Sequence, residues 1–175
     1  MIAHSPAPPA FILATPAQFV RCAPKGWRRI AYGISQTETA KSGDPLQVVD
    51  TVNLKVYHPT NPGTALKLIH ALEREGHPVA VGAFGFKSTQ FRAWHIHAIN
   101  ALNACFSAQF AIYLLKKNVV WASGTGFVGR NALNMAISAY TVGRLTYADG
   151  GLRYLRTVDY FAQQYHPTSP HNAAR

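Results

Sequence analysis

Acidic side chains are scarce in this 175-residue chain: Glu38, Asp44, Asp50, Glu73, Glu75, Asp149 and Asp159 stand against 17 Lys and Arg. Only 14% of residues are charged, so the net charge of +10 comes from missing acids rather than from a dense basic tail. The shortage restricts metal-dependent chemistry, which usually gathers two or more carboxylates around a hard cation. Cysteine is equally sparse. Cys22 and Cys105 are too few for a disulfide scaffold or a zinc knuckle, and a reducing cytoplasm is the expected home. No apolar run reaches the roughly 18 residues of a membrane span, so no membrane partner is expected. The start, Met1-Ile2-Ala3-His4-Ser5-Pro6, lacks the basic and apolar regions of a secretory signal. The motifs G-x-S-x-G, H-E-x-x-H, paired C-x-x-C and G-x-x-x-x-G-K-[ST] are missing too, which leaves ordinary hydrolase, metalloprotease, thiol-redox and Walker-loop readings without a signature.

What is present is a composition 48% hydrophobic, enough to close one core without staples. Proline marks mobile tails at 1–10 and 166–175, leaving a single basic domain at 11–165. The segments from Phe11 to Val20 and from Arg28 to Ile34 suggest short strands, the first also a turn segment, and 35–47 a loop. The β-branched stretch from Gln47 to Tyr57 predicts a strand with Val52, Leu54 and Val56 on one side. A helix should follow, capped by Thr60 or Asn61, started by Pro62, striped with Leu66, Ile69 and Leu72 and stopped at Gly76. Pro78 to Phe84 has the look of a buried strand, and Gln90 to Ala108 of a helix. Phe110 to Leu115 and Val119 to Ala122 suggest a hairpin with Lys116-Lys117-Asn118 at its tip, and helices over Arg130 to Thr146 and Leu152 to Gln164 complete the chain. The fold class is mixed α/β (α+β): one compact domain with a small mixed sheet and flanking helices.

A domain this basic attracts polyanions, with nucleic acid, DNA in particular, as the expected partner. Arg28, Arg29, Lys116, Lys117, Arg153 and Arg156 are the candidate contacts, with Trp27 and Tyr154 placed to stack on bases. Gly124-Thr125-Gly126-Phe127-Val128-Gly129 spells G-x-G-x-x-G, followed by Arg130 and Asn131; it is either a phosphate-binding turn or merely a tight one. Asp149, twenty residues beyond Gly129, stands where a ribose-binding acid would. On a helix Arg92 and His95 would share a face and present a cation and a titratable group to phosphate, or His95 would simply pack beside Trp94. Asp50 and Glu73 are the candidate ligands for Mg²⁺ or Mn²⁺, and Glu73 a candidate catalytic acid, the alternative being solvated acids at a helix end.

The order strand, Pro-containing turn, helix, Gly76-His77-Pro78, strand and Arg92-bearing helix resembles the ParB/sulfiredoxin superfamily core over Val48 to about Ala108. Arg92 matches that superfamily's phosphate-contacting arginine, with the preceding glycine displaced to Gly85. The resemblance extends to plasmid fertility-inhibition proteins of the oncogenic-suppression kind, and it implies DNase activity, ATP as a cofactor, and interference with a DNA-transfer machine. Two functions compete: a metal-dependent nuclease with nucleotide hydrolysis, and a non-catalytic module that binds nucleic acid or docks on a DNA-processing protein.

Overall fold

A computed structural model describes residues 15–167. The tails expected at 1–10 and 166–175, apart from His166 and Pro167, lie outside the described residues, as do residues 11–14 of the first expected strand. The order is α1 (Pro16–Phe19), α2 (Arg28–Glu38), β1 (Val48–Asp50), β2 (Lys55–Tyr57), α3 (Pro62–Arg74), β3 (Val79–Val81), β4 (Phe86–Lys87), α4 (Phe91–Trp94), α5 (Ala98–Leu102), α6 (Ala104–Gly124), α7 (Gly129–Val142) and α8 (Gly151–Gln163). The α+β class is as expected, although the sheet is antiparallel at every pairing rather than mixed, in the order β2-β1-β3-β4.

Local chemistry accounts for the elements that match. Asn61 accepts from the Thr64 amide at 2.9 Å and Pro62 occupies the first turn of α3, a cap that contributes about 1 kcal/mol. Ala65, Ile69 and Leu72 are its buried stripe, with Leu66 half-buried. Helices α7 and α8 lie where helical periodicity put them, and β3 occupies the centre of the Pro78 to Phe84 run.

Other segments differ. Residues 28–34 are helix, not strand: Ala31, Ile34 and Ser35 face inward in α2, and Gly33 lies so close to α8 that a Cβ would overlap the Val158 carbonyl. The single strand expected over Gln47 to Tyr57 is a hairpin. The Asp50 carboxylate accepts from the amides of Val52 (2.9 Å) and Asn53 (3.2 Å), Leu54 turns left-handed at φ 56°, and Val52, Leu54 and Val56 are left exposed. The helix expected from Gln90 to Ala108 breaks at His95, which is left-handed at φ 53°, and again at Asn103, whose side chain caps α6 at 3.0 Å.

The largest departure is α6. The expected hairpin over Phe110 to Ala122 is part of one 21-residue helix, so Lys116 and Lys117 lie mid-helix rather than at a tip. Ala108, Ala111, Ile112 and Leu115 are buried at three- and four-residue intervals, a period that two short apolar runs conceal. Its aromatics join the core, with Phe110 against Phe86 at 5.6 Å and against Trp94 at 5.9 Å.

Cys22 and Cys105 are bonded to each other, Cα to Cα 5.3 Å, closing 83 residues of sequence. They pin the 3₁₀ turn Val20–Cys22 to the first turn of α6, a single bond in a chain with too few cysteines for a disulfide scaffold. Sequence separation hides this proximity. Crosslinking a loop of that length restricts the unfolded chain by about 4 kcal/mol. Reduction, or replacement of both cysteines by serine, should lower stability by about 2–5 kcal/mol in urea unfolding. Coincident curves with and without reductant would contradict the bond.

Candidate functional site

Glu38 is the last residue of α2, and the stripe that buries Ala31, Ile34 and Ser35 carries its side chain inward as well. The Tyr154 hydroxyl, on α8, donates to its Oε1 at 2.6 Å. The Tyr140 ring, on α7, stacks on Tyr154 with centroids 6.2 Å apart, and its own hydroxyl donates to the Phe84 carbonyl at 3.0 Å. Gly85, at φ 62°, passes beneath the carboxyl, where any Cβ would overlap Glu38. Helix, sheet turn and two tyrosines therefore converge on one acid.

The carboxyl is half-buried and faces a cavity of about 200 Å³, lined also by Phe86, Lys87, Gln90, Trp94, Asn118 and Thr141. Burial pushes Glu38 from its ordinary 4.5 up to about 7, and the Tyr154 hydrogen bond and the Lys87 ammonium pull it only part of the way back. The negative end of the α2 dipole favours the neutral form as well. Burial and the nearby Glu38 charge hold Tyr140 and Tyr154 well above 10, so both stay hydroxyl donors. Chemically, the arrangement is a carboxylic acid able to give up and recover a proton near neutral pH, the range in which general acid–base catalysis is most effective.

The other acids are occupied differently. Asp50 is buried, which works against its charge, yet hydrogen bonds from Val52, Asn53 and His77 outweigh that and hold it at about 2. With His77 at 2.9 Å and the Asn53 amide at 2.9 Å its oxygens are filled, and it fastens the hairpin turn. Asp44 pairs with His58 at 2.7 Å, Glu73 with His70 at 3.7 Å, Asp159 with Arg130 at 3.3 Å, and Asp149 with Arg144. Among the described residues no group of three or more His, Cys, Asp or Glu is gathered as a metal site.

The residues singled out from sequence are dispersed. Arg92 and His95 are both exposed and do not share a helical face, because α4 ends at Trp94. Gly124, Gly126 and Gly129 join α6 to α7, so a helix rather than a strand precedes the G-x-G-x-x-G turn; Arg130 bonds the Asn134 side chain at 3.0 Å, and Asn131 is exposed. Arg28 and Arg29 donate to the carbonyls of Ala23 and Ala162, at 3.2 and 3.1 Å. Lys116 covers the Trp27 ring and Lys117 the Tyr113 ring, while Arg153 and Arg156 stand exposed on α8. None of these lines the cavity around Glu38. Sequence reasoning missed Glu38, although an acid in register with Ala31 and Ile34 on an apolar helical stripe was a signal once α2 is taken as a helix.

No family model, curated protein or solved structure matches the chain. Among the described residues no helix is long and apolar enough to cross a membrane.

A carboxyl whose folded pKa exceeds its unfolded value holds its proton more tightly when folded. Its contribution to stability therefore falls as pH rises from 4.5 through about 7. Glu38→Gln should be more stable than the parent by about 1–3 kcal/mol near pH 8 and nearly equal to it near pH 4, measured by thermal unfolding. A difference independent of pH would contradict the raised value.

Proposed function

We propose that the protein is an enzyme that cleaves glycosidic bonds in a polysaccharide, with Glu38 as its general acid. The observation that carries this reading is a lone carboxyl, raised to about 7 and bonded by Tyr154 at 2.6 Å, in the wall of an open cavity. A glycosidic oxygen leaves only if it is protonated as the C–O bond breaks, and a glutamic acid raised by apolar surroundings is the group suited to supply that proton. Trp94, partly exposed in the lining, offers a flat apolar face to a sugar ring.

Glycosidases commonly use two carboxylates, the second to activate water or to form a glycosyl ester. Here Glu38 is the only acid lining the cavity among the described residues. One group must then serve twice. Its proton passes to the leaving oxygen as the bond from the anomeric carbon breaks, and the carboxylate left behind takes a proton from the hydroxyl that bonds to that carbon. A hydroxyl of the same sugar is already in place at high effective concentration and needs no second carboxylate to orient it. The product is an internal anhydro ring at the new chain end, formed without consuming water.

Two features support an anionic glycan of the bacterial cell envelope, peptidoglycan, as the substrate. The +10 charge concentrates polyanions near the surface. The Cys22–Cys105 bond favours an oxidising compartment over the reducing cytoplasm. A second reading, a DNA-acting nuclease with Mg²⁺ or Mn²⁺ and ATP or a non-catalytic nucleic-acid module, draws on the same charge and on Arg153 and Arg156, exposed on α8.

Purified protein incubated with peptidoglycan should release soluble fragments one water lighter than hydrolysis products, read by mass spectrometry. Glu38→Gln should slow release by at least about 100-fold. Gly85→Ala, which crowds the carboxyl, should slow it as well. Absence of release, or release unaffected by Glu38→Gln, would contradict the reading; metal-dependent cutting of DNA in a parallel incubation would favour the second.

A further inference from the structure

We infer that Lys87 is an anion subsite at the mouth of this cavity, pairing with a carboxylate carried by the sugar beside the scissile bond. The inference rests on the glycan-cleaving reading and names a specificity residue for it. Lys87 ends the short strand β4, in register with Ala80 of β3, so the sheet fixes where its side chain begins. Its ammonium spans to α7 and donates to the Thr141 carbonyl at 3.2 Å. An ammonium has three protons to donate. Lys87 makes no ion pair among the described residues, and two of those protons remain for a ligand.

The surroundings do not neutralise this charge. Four of the seven acids pair with His58, His77, Arg144 and Arg130 elsewhere in the fold, and none of those four lines the cavity. The one acid among the described residues that does line it, Glu38, is raised by burial to about 7, so near neutral pH it offsets the ammonium only in part. A cavity meant for an uncharged sugar gains little from an ammonium at its rim that makes no ion pair, whereas a carboxylate there would complete its hydrogen bonds with charge-assisted ones. The Gln90 amide lines the same mouth and adds a neutral donor.

Binding an anion at Lys87 would also aid the chemistry. The groups facing Glu38 are Tyr154 from α8, Tyr140 from α7 and Lys87 from β4, and of these only Lys87 carries a charge that draws the carboxyl toward ionisation. A substrate carboxylate paired with Lys87 cancels that pull and keeps Glu38 protonated. Substrates bearing the anion would thus arm their own acid.

The test uses Glu38→Gln, in which binding is read without turnover. The probes are peptidoglycan strands stripped of peptide, so that their lactyl carboxylates are free, and the same strands after carbodiimide amidation. Calorimetry should show about 10-fold tighter binding of the carboxylate form. In Glu38→Gln/Lys87→Met that preference should fall below about twofold, and in Glu38→Gln/Lys87→Arg most of it should return. An unchanged preference in the Met variant, or equal weakening toward both strands, overturns the subsite. Cleavage by the parent protein separates the two claims. Strands that are cut while the Met variant keeps its preference refute the subsite alone; strands bound through Lys87 but never cut refute the glycan-cleaving reading alone; strands neither bound nor cut refute both.

Discussion

The hydrogen bond from Tyr154 to Glu38 joins residues 116 apart in sequence, and the position of the site depends on it. For the phenol to reach the carboxyl, α8 must lie directly against α2. Gly33 allows this by leaving room for the Val158 carbonyl, and the Arg29 side chain fastens the same pair of helices through the Ala162 carbonyl at 3.1 Å. Tyr140 backs the phenol and ties α7 to the sheet turn through Phe84. Four elements thus enclose an acid whose burial costs the fold stability above about pH 7. Such a cost persists in a fold only where something other than stability gains from it.

The scarcity of acids gives this arrangement its meaning. Asp44, Asp50, Asp149 and Asp159 each face a histidine or arginine at close range, and Asp50 is held near 2 as a structural anion. Glu38 instead meets a tyrosine and is raised to about 7, so the chain's two strongly displaced carboxyls are moved in opposite directions by their surroundings. One fastens a hairpin; the other faces a cavity. With few competing negative charges on its surface, the protein offers an anionic polymer an attractive approach to an acid that keeps part of its population protonated at neutral pH.

Much of the scaffold was legible in the sequence where local chemistry decides the outcome. The Asn61 cap and Pro62 place α3, and apolar periodicity places α7 and α8. Tertiary context decides the rest. Phe110 to Ala122 carries two short apolar runs around two lysines, which suit a hairpin or a helix equally, and burial of Ala111, Ile112 and Leu115 against neighbouring helices selects the helix. The hairpin over β1 and β2 hides in a β-branched run because its turn is made by Asp50, which resembles a strand residue until its carboxylate is seen capping Val52 and Asn53. The site escaped notice for a related reason. With Arg28 to Ile34 taken as a strand, Glu38 falls in a loop; in a helix it lies in register with Ala31 and Ile34 and is turned toward the interior. The basic residues drew attention because charge is visible in composition, whereas the environment of a single acid is visible only once the helices are packed.

The most direct test of the central claim is a ¹³C NMR titration of the glutamate side-chain carboxyls. The chain has only three, Glu38, Glu73 and Glu75, so the signals can be assigned by single Gln replacements. Glu38 should titrate at about 7. A midpoint near 4, the ordinary value for a solvated glutamate, would mean that the carboxyl is ionised at neutral pH and cannot be the acid that breaks the bond.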